Sequence, residues 1–198
     1  MTKIKFCGMR RIEDIQAANK LKPDFIGFVF APKSRRFIVP EEAANLKTVL
    51  DPDITAVGVF VDEPAENVAR LLNNGTIDIA QLHGSEAEAY LARLRRFTDK
   101  LLVRAFRIHE KADLAAAETC TADGILLDAG SGDGVTFDWE LLSGFRRPYT
   151  LAGGLNAGNV KDAVLRCRPY VVDVSSGIET NGFKDEAKMA AFIKAVRG

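Results

Sequence analysis

Short apolar runs recur at regular intervals along the whole chain. Most are continuous rather than alternating, which is typical of strands buried on both faces of a sheet. Successive runs begin about 20 to 29 residues apart, which leaves room for a crossover connection after each one. The predicted strands cover residues 3–7, 25–30, 54–61, 77–82, 101–106, 124–128, 149–151 and 171–174.

The segments between these runs have helical character. Apolar residues recur every three positions from Ile12 to Leu21, and Pro40 opens a segment with acidic residues in its first turn. The sequence Ser-Glu-Ala-Glu at residues 85–88 predicts a capping box before another helix. The predicted helices cover residues 12–21, a segment that begins at 40, and residues 64–72, 85–94, 113–119, 137–142, 156–165 and 184–196.

Eight strand–helix repeats without a break in composition predict a single-domain α/β fold, a (β/α)8 barrel over residues 1–198. The alternative is an open, doubly wound sheet. The even repeats, and the lack of a Gly-x-Gly-x-x-Gly sequence after the first strand, favour the barrel. In a barrel the chemistry lies at the carboxyl ends of the strands, so the residues after each run are the candidates for a site.

Composition narrows the class of partner. The 198 residues carry 27 basic and 27 acidic side chains, which argues against a nucleic-acid partner or an anionic membrane surface. No apolar run approaches the ~18 residues that span a bilayer, and residues 1–7 lack the apolar core of a secretory signal. Three widely spaced cysteines favour free thiols in a reducing cytoplasm, and two histidines offer little for a metal site.

Two glycine- and serine-rich segments follow the last two predicted strands. Gly153 and Gly154 precede a helix, and Ser175, Ser176 and Gly177 follow the eighth strand. Backbone N–H groups at glycines approach an anion closely, and barrels often hold phosphate at these two loops. A tight turn with a helix cap is the alternative for either segment alone. Together they predict a phosphate site.

Cys7 and Asp128 end the first and sixth predicted strands. A lone cysteine in an apolar run is often a buried small hydrophobe, but this position also suits an accessible thiol with thiolate character. Asp128 suits a helix cap or an ion pair, and equally a general acid or base with a pKa raised by apolar surroundings. A ligand bound across the barrel mouth would contact both residues.

Three further polar residues are candidates for substrate binding. Arg36, in Ser-Arg-Arg at residues 34–36, suits a carboxylate because its guanidinium presents two donors side by side. Gln81 and His83 lie around the end of the fourth strand. A lone histidine is more often a structural residue, so that alternative stays open for His83.

Taken together, these motifs resemble the phosphoribosylanthranilate isomerase family of tryptophan biosynthesis. The resemblance runs in order from residue 5 to about 185. The motifs are Lys-Phe-Cys-Gly-Met at 5–9, Gln-Leu-His-Gly at 81–84, Leu-Asp-Ala at 127–129, Gly-Val-Thr-Phe-Asp-Trp at 134–139, Leu-Ala-Gly-Gly-Leu at 151–155 and Asp-Val-Ser-Ser-Gly-Ile-Glu at 173–179.

The resemblance implies an aldose–ketose isomerase without metal or cofactor that performs an Amadori rearrangement. It implies that Cys7 is the general base, that Asp128 is the general acid and that Arg36 holds the anthranilate group. It also assigns phosphate to the Gly-Gly and Ser-Ser-Gly segments. Two departures from the family pattern are Asp133 in the loop after the sixth strand and Asn-Gly at 181–182, which suits a turn equally well. No obligatory protein partner is inferred.

Three other functions remain as alternatives. A metal-dependent sugar-phosphate epimerase needs histidine and aspartate ligands at several strand ends, where His83 is the single histidine candidate. A phosphoribosyl isomerase like that of histidine biosynthesis is expected to carry an aspartate in place of Cys7. A non-catalytic phosphate-binding barrel gives no reason to combine Cys7 with Asp128.

Overall fold

The computed structural model describes residues 1–128 and 138–198. Eight parallel strands form a closed barrel in sequence order, because β1 pairs with both β2 and β8. The predicted barrel is therefore confirmed, and the open doubly wound sheet is wrong. The strands are β1 (Lys3–Cys7), β2 (Phe25–Val29), β3 (Thr55–Phe60), β4 (Ile79–Leu82), β5 (Leu101–Arg107), β6 (Gly124–Asp128), β7 (Tyr149–Ala152) and β8 (Val171–Val174).

Helices connect most of the strands and cover the outside of the barrel. A two-stranded hairpin of β9 (Glu179–Thr180) and β10 (Phe183–Lys184) follows β8, and its turn at residues 181–182 confirms the turn predicted for Asn-Gly. The α-helices are α1 (Ile12–Leu21), α2 (Pro40–Thr48), α3 (Ala65–Asn73), α4 (Glu88–Leu94), α5 (Leu114–Thr119), α6 (Val160–Cys167) and α7 (Glu186–Arg197).

Six of the eight predicted helix starts differ from the structure, and those at 64, 113 and 184 differ by only one or two residues. The predicted capping box at 85–88 does not form, because the Ser85 hydroxyl donates to Asp62 and the Glu88 carboxylate accepts from Thr121, and α4 begins at Glu88. Helix α6 begins at Val160, because residues 156–159 form a turn held by their asparagine side chains. Before β7 the structure has the short 3₁₀ helix Trp139–Leu142, whereas Phe137 and Asp133 lie outside the described residues.

Strand alternation places β1's side chains on two different surfaces. Ile4 and Phe6 are fully buried among the surrounding helices, where the ring of Phe6 meets that of Phe192 edge to face. The alternate residues Lys5 and Cys7 therefore point into the barrel. Among the described residues, no helix is long and apolar enough to cross a bilayer.

Candidate active site

A cavity of about 210 Å³ lies at the carboxyl ends of the strands. Its walls come from every strand except β5 and from the segments after β2, β4, β7 and β8. Every residue predicted for the site except Gly177 lines it. These lining residues are Cys7, Arg36, Gln81, His83, Asp128, Gly153, Gly154, Ser175 and Ser176.

Cys7 is a buried thiol at the end of β1 and is 9% exposed. Burial raises the pKa of Cys7, whereas the nearby Lys5 and Lys184 ammonium groups act in the opposite direction. Its backbone carbonyl accepts a hydrogen bond from the Ser175 hydroxyl at 2.9 Å, which ties β1 to the segment after β8. The residue is largely enclosed by protein, and it lines the cavity.

Asp128 belongs to a line of hydrogen bonds across the cavity. The Gln81 amide nitrogen lies 3.0 Å from His83 Nδ1, and His83 Nε2 lies 3.1 Å from Asp128 Oδ2. An amide nitrogen only donates, so Nδ1 accepts and the neutral imidazole carries its proton on Nε2. His83 therefore donates to Asp128, and Gln81 fixes the orientation of the ring.

Arg36 is held by a carboxylate of the protein. Its Nε and Nη2 atoms donate to the two carboxylate oxygens of Glu179 at 2.6 and 2.8 Å. Lys184 donates to the same carboxylate at 2.7 Å. Burial alone would raise the pKa of Glu179, but hydrogen bonds and charge from Arg36 and Lys184 lower it to about 2. Arg35 is far more exposed, so Arg36 is the arginine that faces the cavity.

The segments after β7 and β8 pack directly on each other. Gly154 has φ +65°, in the left-handed region, and its carbonyl accepts a hydrogen bond from the Asn159 side chain at 2.9 Å. A Cβ on Gly177 would lie 2.0 Å from the Leu155 carbonyl oxygen. Gly177 therefore permits the close approach of the two segments and lies behind the cavity wall rather than in it.

The sequence of the chain matches a known protein family over nearly its whole length. The model of the family described as N-(5'-phosphoribosyl)anthranilate (PRA) isomerase matches residues 4–195. The chain belongs to this family. The membership confirms the predicted class of enzyme, an aldose–ketose isomerase of tryptophan biosynthesis.

Individual PRA isomerases match the chain over almost its whole length. The N-(5'-phosphoribosyl)anthranilate isomerase of Thermoanaerobacter sp. strain X514 is 46% identical, with 100% of this chain and 99% of the relative covered. The enzyme of Endomicrobium trichonymphae is 45% identical with the same coverage. The crystal structure of the Thermotoga maritima enzyme is 36% identical, has a TM-score of 0.91 and is covered to 99%, against 100% of this chain.

A PRA isomerase crystallised with reduced 1-(o-carboxyphenylamino)-1-deoxyribulose 5-phosphate is also similar to this chain. Its TM-score is 0.90 at 35% identity, and the comparison covers 100% of this chain and 99% of that one. Its bound compound is a small molecule with both a carboxylate and a phosphate. The cavity described above offers a guanidinium and two glycine- and serine-rich segments.

The other two cysteines lie away from the PRA isomerase cavity. Cys120 is buried, and burial raises the pKa of the half-buried Cys167 to about 11. All three cysteines are free, as predicted. In the part of the chain that the structure describes, no group of three or more histidine, cysteine, aspartate or glutamate residues could hold a metal ion.

Four charged residues of the site were absent from the sequence-based candidates. They are Lys5, Asp173, Glu179 and Lys184, which form two ion pairs around the cavity. Lys5 and Asp173 are charged residues at inward positions of β1 and β8, and this is the feature of the sequence that could have indicated them. The pairing of Glu179 with Arg36 has no comparable local signal, because 143 positions separate them in sequence.

Proposed function

We propose that residues 1–198 act as one catalytic domain that isomerises N-(5'-phosphoribosyl)anthranilate to 1-(2-carboxyphenylamino)-1-deoxyribulose 5-phosphate by general acid–base catalysis. One observation carries this proposal. Cys7 and Asp128 come from non-adjacent strands and line one cavity, whose remaining wall includes the segments after β7 and β8. A thiol and a carboxyl group then face a single sugar from different directions.

Asp128 is the general acid in this proposal. As a neutral carboxylic acid it gives its proton to the ring oxygen of the ribose, the C1'–O bond breaks, and the nitrogen lone pair forms a Schiff base. His83 donates to Asp128 Oδ2 at 3.1 Å. His83 and Gln81 thus hold the carboxyl plane in one orientation, and their role is support of the acid.

Cys7 is the general base. Its thiolate removes the C2' proton of the Schiff base, the electron pair moves into the C1'–C2' bond, and the nitrogen becomes neutral. The resulting enolamine tautomerises to the ketone. Proton transfers of this kind contribute about 10²–10⁴-fold each to the rate.

The remaining contacts hold the ends of the substrate. We assign the phosphate to Gly153, Gly154, Ser175 and Ser176, because these residues line the cavity and glycine backbone permits close approach of N–H groups. We assign the anthranilate carboxylate to Arg36. Since Glu179 occupies Nε and one edge of Nη2, the substrate contacts the Nη1 side of the guanidinium.

We also propose a cytoplasmic location, supported by the three free thiols. The experiment that tests the activity is a fluorescence assay of the purified chain with freshly made phosphoribosylanthranilate. We expect turnover at an unchanged rate in the presence of a chelator, and rescue of a tryptophan auxotroph that lacks this isomerase. A rate that the chelator abolishes would favour the metal-dependent epimerase class instead.

A further inference from the structure

A buried ion pair lies directly below Cys7 inside the barrel. Lys5 Nζ lies 2.8 Å from Asp173 Oδ2, and the two side chains are 4% and 7% exposed. Barrel interiors are usually filled by branched apolar residues. A buried ion pair is at best a weak source of stability, because both charges lose their hydration. The position of this pair therefore calls for an explanation other than folding.

Strand register brings the ammonium and the thiol together. Lys5 and Cys7 share the inward face of β1, and Lys5 is the register partner of Asp173 on β8. The Lys5 ammonium donates to Asp173 at 2.8 Å, and its positive charge lowers the pKa of the neighbouring Cys7 thiol. Gly27, opposite Cys7 on β2, provides the space: a Cβ there would lie 2.9 Å from Cys7 Sγ and 3.4 Å from Lys5 Nζ.

We propose that Lys5 is a positioning residue that stabilises the thiolate form of Cys7, and that Asp173 holds the Lys5 ammonium in place. The catalytic importance of this role rests on the proposed function, in which the thiolate is the base. An opposite charge within about 4–6 Å favours the ionised form of a group by 1–3 pKa units. Lys5 thereby acts against burial, which opposes ionisation of Cys7.

The other charges around the thiol are less suited to this role. Asp173 carries the wrong sign for stabilising a thiolate. Lys184, after β8, also faces Cys7, but its ammonium donates to Glu179 and to Ser175. Across the cavity, Arg36 is held by Glu179, and His83 and Asp128 pair with each other.

Alkylation of the thiol measures its ionisation without any need for turnover. In the full chain, Cys120→Ala and Cys167→Ala leave Cys7 as the single cysteine. The rate of reaction with iodoacetamide, followed against pH, then gives the pKa of Cys7. We expect Lys5→Met to raise this pKa by about one unit or more, and to slow alkylation at neutral pH about tenfold.

Lys3→Met is the matched control. Lys3 lies on the same inward face of β1, but its ammonium sits over the rings of Phe25 and Tyr170, at 5.6 and 5.4 Å from their centroids. We expect it to leave the titration of Cys7 unchanged. Because Lys5→Met leaves Asp173 buried without its partner, the double variant Lys5→Met/Asp173→Leu removes both charges. We expect it to raise the pKa of Cys7 as well, by a smaller amount.

A folded Lys5→Met or double variant with a wild-type alkylation profile would overturn the proposal and leave the ion pair as a structural feature. The pH profile of kcat/KM separates this outcome from failure of the proposed function. If Cys7 is the base, its ionisation sets one side of the kcat/KM profile against pH. The pKa read from that side then shifts by the same amount as the pKa measured by alkylation. An alkylation pKa that shifts without the kinetic pKa would remove Cys7 from the mechanism, while the effect of Lys5 on the thiol would stand.

Discussion

Arg36 and Glu179 form a two-point hydrogen bond at the mouth of the barrel, with Nε–Oε1 and Nη2–Oε2 distances of 2.6 and 2.8 Å. The segment after β2 is thereby joined to the hairpin after β8. The guanidinium has a fixed plane before any substrate arrives, which reduces the entropy lost when a carboxylate binds. Arg36 therefore depends on Glu179 for its orientation.

Glu179→Gln tests this dependence through acid stability. The pKa of Glu179 is lowered in the folded chain, to about 2, so its stabilising effect is complete above the unfolded-state pKa near 4.3 and is lost as the pH falls towards 2. Between pH 6 and pH 2, we expect the free energy of unfolding of the wild type to fall by about 2 kcal/mol more than that of the variant. Urea unfolding at several pH values measures this, and parallel pH curves would contradict it.

Arg36→Lys tests the contact with the anthranilate carboxylate. Lysine keeps the charge but loses the paired donors, so we expect kcat/KM to fall by about 1–3 kcal/mol in free-energy terms. Arg35→Lys is the control, because the Arg35 side chain is 63% exposed, against 18% for Arg36. Equal effects of the two substitutions would contradict a specific contact between the Arg36 guanidinium and the anthranilate carboxylate.

Gly154→Asp tests the phosphate site. The new carboxylate adds bulk and a negative charge beside the bound phosphate, so we expect KM to rise strongly. Gly144→Asp is the matched control, since Gly144 also has a positive φ, +92°, and a Cβ there meets nothing within 4 Å. Steady-state kinetics of both folded variants decide the matter. An unchanged KM for Gly154→Asp would show that the substrate phosphate does not bind beside Gly154.

Strand positions could be predicted from the sequence more closely than helix starts. Buried parallel strands give continuous apolar runs, so the bounds of β1, β6 and β8 agree with the prediction. The start of α4 could not be predicted, because Ser85 and Glu88, the two residues of the expected capping box, hydrogen-bond instead to Asp62 and Thr121 in other segments. Such contacts depend on the folded barrel rather than on local sequence.

For the candidate site too, the positions of the residues could be predicted from local sequence, but their contacts could not. Residues after the apolar runs could be assigned to the cavity, because a barrel brings all strand ends to one face. The partners that orient these residues could not be assigned in the same way. Gln81 was expected to bind substrate, yet its amide contacts His83. The ionisation of Cys7 depends on Lys5 and Asp173, which share a register only once β1 meets β8.

The central claim is that Cys7 and Asp128 are the base and acid of one reaction. An unperturbed cysteine titrates near ~8.5 and an aspartic acid near ~3.9, the wrong order for neutral pH. Burial raises the pKa of Cys7 further in this structure. We therefore expect a bell-shaped pH profile of kcat/KM that belongs to the coupled pair. Cys7→Ser is expected to be poor, because a hydroxyl supplies almost no anion at neutral pH.

The most direct test is turnover of freshly made phosphoribosylanthranilate by purified Cys7→Ala and Asp128→Ala, assayed beside the wild type and a Cys120→Ala control. Circular dichroism confirms that each variant is folded. We predict that each loses at least about 10²–10⁴-fold in kcat/KM, whereas Cys120→Ala keeps wild-type turnover. Near-wild-type turnover in Cys7→Ala or Asp128→Ala would contradict the account by removing that residue from the mechanism.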